Sequence, residues 1–246
     1  MITRELREDT MEITKLWRGA YGQIILGTYE DGSNLHCDKV INRFATVLPE
    51  TFAEFDKKMR GDALNLDLYG FDEEQRVAVI QIRHAFRMYK NGFMNVHKDY
   101  VLVGQNEETK EFFRHPVSGH AIHAAIRKDP TRLEAAVRGA QRWMWEVSDA
   151  QLAKGIRQGD ILMVPSDRKP PKATPLDEKS VVVAGTHEIS AAEFCKDTKG
   201  NIWALAPTMR HTKGQHLAAY GDGEFWHAIK VGRESQTWEW GARLGD

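Results

Sequence analysis

The chain has 246 residues, 34 Lys and Arg against 35 Asp and Glu, a formal net charge of -1 and 41% apolar residues. That length makes one large domain or two small ones and buries a core without disulfide or metal staples. The balance excludes a protein that is basic throughout, and the lack of any run of about 18 apolar residues excludes a transmembrane helix.

The first nine residues hold Arg4, Glu5, Arg7, Glu8 and Asp9 where a signal peptide would be apolar. Ala20 to Tyr29, then Glu30-Asp31-Gly32-Ser33, then a second run to Leu48, reads as a hairpin closed by an Asp-Gly turn. Thr51 and Glu54 form a capping-box pattern that opens a helix reaching about Arg60. Leu64, Leu66 and Leu68 alternate with polar residues, as in a half-buried strand.

Asp72-Glu73-Glu74 suits a helix N-terminus, so a helix is expected over RVAVIQIRHAFRMYK, ending near Asn91-Gly92. On it Arg76, Arg83, Arg87 and Lys90 fall on one face. Strands are expected at Tyr100 to Val103 and Glu111 to Arg114. Ser118 caps a helix carrying His120 and His123. Asp129-Pro130 opens another, with Leu133, Val137, Ala140 and Met144 on its core face and Arg138, Arg142 and Trp145 on a different, exposed face. Ser148 and Gln151 form a second capping box, with Gly155 as the stop.

After Gln158-Gly159-Asp160 the chain changes character. Ile161 to Val164 is a short buried strand ended by Pro165. Residues 165–180 hold four of the eight prolines and read as a long loop. Val181 to Ile189, Ile202 to Ala206 and Phe225 to Val231 are strands between Gly- and Asp-rich turns, the pattern of a small barrel or sandwich. The stretch IRQGDILMVP resembles, over its ten residues, the lead-in to small RNA-binding β-barrels of the PUA-like kind. The fold class is α+β: a mixed domain over 1–147 and a β-rich, barrel-like domain over 148–246 containing the loop 165–180.

Charge is unevenly spread. Residues 1–75 carry 9 basic and 15 acidic side chains (net -6), residues 76–172 carry 17 and 10 (net +7), and residues 173–246 carry 8 and 10 (net -2). A basic middle third is the footprint of a nucleic-acid partner, or of a homo-oligomer whose acidic faces meet basic ones. Six of the seven Trp follow residue 140 and suit either core packing or base stacking.

Seven of the ten histidines follow residue 110. His120 and His123 lie one helical turn apart, with His115 nearby, as surface histidines or metal ligands. His187, His211, His216 and His227 come from separate strands and turns, with Lys213 between two of them. Imidazoles that titrate near neutrality, with a Lys beside them, suit metal-independent cleavage of RNA. The same imidazoles suit a zinc ligand set, phosphate binding, or plain sheet positions.

Phosphate-loop, dinucleotide-binding and Gly-x-Ser-x-Gly motifs are all missing, and no motif calls for a cofactor. Cys37 and Cys195 stand outside any Cys-x-x-Cys pair, as in a reducing cytoplasm. The leading expectation is a cytoplasmic RNA-binding protein with His-based cleavage at His187, His211, His216, His227 and Lys213. Its nucleic-acid contacts are Arg76, Arg83, Arg87, Lys90, Arg138, Arg142, Trp145, Arg210 and Arg233. The alternatives are a metal-dependent hydrolase built on a histidine cluster and a structural or assembly protein.

Overall fold

Val77 to Ile82 is apolar at every position but Gln81, and four of its six residues are β-branched. Such a run suits a strand covered on both faces better than a helix. A computed structural model describes residues 13–29, 34, 35, 37–49, 61–87, 94–106, 109–214 and 217–235, and there the segment is a strand. The chain begins with β1 (Ile13–Arg18), β2 (Ile24–Tyr29) and β3 (Asn34–Leu35), a three-stranded antiparallel sheet. Helix α1 (Cys37–Arg43) and a 3-10 turn (Ala45–Val47) follow. Next come β4 (Gly61–Asp72), β5 (Val77–Arg87), β6 (Met94–Gln105) and β7 (Phe112–Pro116), an antiparallel sheet in chain order.

One face of that sheet carries Leu68, Ala78, Ile80, Ile82, Val101 and Val103 against α1 and Ile24. The other carries Tyr69, Val77, Val79, Tyr100 and Leu102 against two helices, α2 (Gly119–Lys128) and α3 (Ala135–Trp145). Burial on both faces removes the alternation that marks a half-buried strand, which is why the segment imitates a helix. Asp72-Glu73-Glu74 serves the β4–β5 turn instead: Gln75 N donates to Asp72 Oδ1 at 2.9 Å, and Arg76 takes φ +52°.

Two other expectations shift. The run after residue 33 is not a long strand, because Val40, Ile41 and Phe44 form one apolar stripe of α1 and the residue beyond it. Asp129-Pro130 does not start α3. The Asp129 N–H closes α2 on Ala125 O at 3.1 Å, and α3 begins only after Glu134. Ser118 caps α2 as expected, and Ser148 with Gln151 forms the capping box of α4 (Asp149–Lys154), which stops at Gly155. The helix proposed after Thr51 lies outside the described residues.

The remainder is β-rich. It comprises β8 (Ile156–Gln158), β9 (Ile161–Ser166), β10 (Thr174–Leu176), β11 (Ser180–Val183), β12 (His187–Ser190), β13 (Glu193–Lys196), β14 (Ile202–Leu205), β15 (Thr208–His211), β16 (Ala219–Tyr220) and β17 (Trp226–Val231). They form two open antiparallel sheets, β10-β13-β14-β17-β9-β8 and β11-β12-β15-β16, in place of a closed barrel. Ile161, Met163, Phe194, Ala204 and Ile229 of the first meet Val183, Ile189 and Met209 of the second in one core. The expected strand 181–189 is two strands, split at Ala184 and Gly185, whose positive φ values (+50° and +73°) match a tight hairpin turn. β9 runs through Pro165, since β8 pairs with it only as far as Met163 and leaves one side of the strand without a neighbour there.

A shared core crosses residue 147. Trp145 and Val147 pack with Leu162, Val164 and Ala228, and the Trp145 indole N–H donates to Asp160 O at 2.7 Å. Trp145 is 1% exposed, so it is a core residue and not the surface stacking residue its neighbours Arg138 and Arg142 suggested. Among the described residues no helix is long and apolar enough to cross a membrane.

The helix layer seats on the sheet through Gly70. A Cβ there would stand 2.7 Å from Ala136 Cβ and 2.9 Å from Leu133 O. Gly70→Ala is expected to cost about 1–3 kcal/mol by overpacking, read as a lower denaturation midpoint with an unchanged m-value.

Candidate functional site

The sheet face under α2 is apolar at one end and polar at the other. Register aligns Asp67, Gln81 and Tyr100 in one row and Asn65, Arg83 and Lys98 in the next. Arg83 pairs with Asp67 at 3.4 Å. The Gln81 amide donates to Tyr69 Oη at 3.0 Å and to Tyr100 Oη, and Tyr100 Oη lies 2.8 Å from His123 Nε2. Gln81 and Tyr69 are fully covered, and each finds its partner inside the row, as buried polar groups must. Gly119, first residue of α2, lets the helix sit on this row: a Cβ there would fall 2.5 Å from the Tyr100 ring.

His123 is half-buried at the mouth of the network. Burial lowers its affinity for a proton, and the charges that act on it, Arg127, Lys98 and His120, all push the same way. Burial, and next the neighbouring Tyr100, raises the Tyr69 phenol well above its usual range, so it stays protonated. Lys98 Nζ lies 4.9 Å from the ring centre of Tyr21, which is 62% exposed. The β1–β2 turn carrying Tyr21 and Gly22 is tied down by Arg18. Its guanidinium donates to Gly22 O (2.8 Å), Tyr69 O (2.6 Å), Pro130 O (2.9 Å) and Arg132 O (3.0 Å).

The residues proposed from sequence are distributed more widely than one stripe. Arg76 is exposed at the β4–β5 turn, Arg83 lies within β5, and Arg87 ends that strand, so these three share no helical face. Lys90 lies outside the described residues. Arg138 and Arg142 both face Asp149, at 3.8 and 2.5 Å, and Arg233 pairs with Glu146 while stacking on Trp143 at 4.6 Å. Arg210 is exposed on β15 opposite Glu188. Arg138 also lines a cleft of about 360 Å³ whose three arginines (with Arg132 and Arg157) face Asp72, Glu74 and Glu134, so its charges balance.

Among the C-terminal histidines, the structure joins two. His187 and His211 are cross-strand partners with ring centres 5.0 Å apart, and His187 Nδ1 stands 3.9 Å from Asp160 Oδ1. His187 is fully buried and His211 is 5% exposed. His227 is also buried, but on the other sheet, where its Nδ1 lies 3.1 Å from Phe225 O. It is four residues along β17 from Val231, the partner of Ile161 beside Asp160. That separation is about 13 Å of strand, which places His227 toward the opposite end of the sandwich. Lys213 is exposed just beyond β15, and His216 lies outside the described residues. His115 is buried with Nε2 3.0 Å from Arg233 O and does not join His120 and His123. Among the described residues no group of three or more His, Cys, Asp or Glu is arranged to hold a metal ion.

No family model matches this chain, and neither a curated protein nor a solved structure matches it.

The sequence reading missed Arg18, Tyr21, Tyr69, Gln81, Lys98 and Tyr100, and treated His123 as one of a surface pair. The signal present was Gln81 and Arg83: two polar residues at alternate positions in an apolar run mark one stripe of a strand. Removing the clamp with Arg18→Met is expected to cost about 2–3 kcal/mol through lost charge-assisted hydrogen bonds. Hydrogen exchange should accelerate at Gly19 to Gln23, where the Gly19 and Gly22 amides are otherwise bonded within the turn.

Proposed function

We propose that this chain binds single-stranded RNA across the patch formed by Tyr21, Lys98, His120, His123 and Arg127. The observation that carries the reading is the local charge: Lys98 lies over the exposed ring of Tyr21, and Arg127 stands one turn after His123 on the same helix. Cations positioned to meet phosphates beside an open aromatic face are the two elements of sequence-tolerant single-strand binding. The patch belongs to the basic middle third apart from Tyr21, which the Arg18 clamp brings to it. The reading is one of binding and not cleavage, because His187, His211 and His227 are too deeply buried to meet a strand on the surface.

Fluorescence anisotropy with a labelled oligonucleotide at several salt concentrations tests this. Affinity should fall as salt rises, and Lys98→Ala and Arg127→Ala should each weaken binding several-fold and flatten the logarithmic salt slope by about 0.7. Tyr21→Ala should weaken binding by about 1–3 kcal/mol with the slope unchanged. Binding that is absent at low salt, indifferent to salt, or untouched by all three substitutions overturns the proposal.

A further inference from the structure

The hydrogen-bond row behind the patch has a direction. The Gln81 amide donates to both phenol oxygens, Tyr69 and Tyr100, so the Tyr100 hydroxyl hydrogen is free to point at His123 Nε2, 2.8 Å away. A ring whose Nε2 accepts carries its proton on Nδ1 when neutral. Nδ1 faces the β1–β2 turn at Gly22, and among the described residues nothing hydrogen-bonds to it. Gly22 has φ +89°, and a Cβ there would lie 3.7 Å from Nδ1, so residue 22 places no side chain beside that edge of the ring. Lys98 Nζ lies over the ring of Tyr21, the neighbour of Gly22, and Arg127 stands one turn after His123 on α2.

We infer that His123, Lys98 and Arg127 form a subsite for one phosphoryl group, in which the neutral His123 ring donates its Nδ1–H to a phosphoryl oxygen and the two cations balance the charge. Tyr100 and Gln81 are positioning residues: they hold the tautomer and do not touch the ligand. The inference rests on the RNA-binding reading for the ligand's source. The chemistry is shared by a phosphodiester within a strand and by free inorganic phosphate.

Long-range proton–nitrogen correlation spectra of the imidazoles at pH 8 test it on the intact chain. The free protein should show His123 as the Nδ1–H tautomer, and inorganic phosphate should shift that resonance saturably, as should the oligonucleotide. Tyr100→Phe keeps the ring packing but removes the donor. It should return His123 toward the Nε2–H form and weaken phosphate binding about tenfold, the loss expected for one charge-assisted hydrogen bond, with the thermal midpoint measured alongside. An Nε2–H tautomer in the unsubstituted protein, which needs no variant to fold, overturns the inference, as does an unmoved His123 resonance with both ligands. If the oligonucleotide binds in a salt-dependent way but leaves His123 unmoved, the subsite fails and the RNA reading stands. If phosphate shifts the Nδ1–H resonance and the oligonucleotide does not bind, the RNA reading fails and the subsite stands.

Discussion

One guanidinium holds the candidate site together. Arg18 reaches from the end of β1 to carbonyls of its own turn, of β4 and of the segment between α2 and α3. Each of those carbonyls belongs to backbone that leaves regular structure or borders a bulge, where a partner is needed. The cost is desolvation of a cation: burial brings Arg18 down to about 10, offset in part by Asp129. It remains charged at neutral pH, so the clamp persists. Without it nothing in the local sequence would fix the Gly22 turn against His123, since short turns carry little stability of their own.

The polar rows beneath the clamp are affordable because they satisfy one another. Gln81, Tyr69 and Tyr100 would each be expensive to bury alone. Set side by side by strand register, they exchange hydrogen bonds and pass polarity outward to His123. The C-terminal sandwich also gathers buried polar groups, here with Thr186 Oγ1 beside His187 Nδ1 and the Lys213 N–H donating to His211 Nδ1. His187, His211 and Asp160 occupy one end of its core, with imidazole rings edge to face and a carboxylate beside them. The two regions are linked through Trp145, whose ring fills the shared core and whose N–H holds the Asp160 carbonyl. Asp160, beside His187, is therefore anchored to a helix of the preceding part.

Local rules made some elements readable. Ser118, Ser148 and Gln151 announced two helix starts, because capping is chemistry between residues three apart. Leu64, Leu66 and Leu68 announced β4, and the mixed α+β class followed from the change of pattern after Gly159. The middle of the first sheet was not readable in the same way. Two-sided burial erased the period that separates strand from helix, and with it went the assignment of Arg76, Arg83 and Arg87 to one helical face. Trp145 failed for a related reason: its place on α3 was right, but which side of a helix is inside depends on what packs there.

The sequence by itself determined the composition of the partners: a basic middle third, histidines concentrated after residue 110, turns and caps where Gly, Ser and Asp require them. Only the tertiary structure decided which of those residues meet. Strand register placed Gln81 beside Tyr100, a glycine at the head of α2 let His123 descend onto that row, and Arg18 carried Tyr21 and Gly22 across to it. The physical reason is distance along the chain. Contacts between residues 18 and 132, or 100 and 123, arise from packing and register, and no local pattern of side chains encodes them.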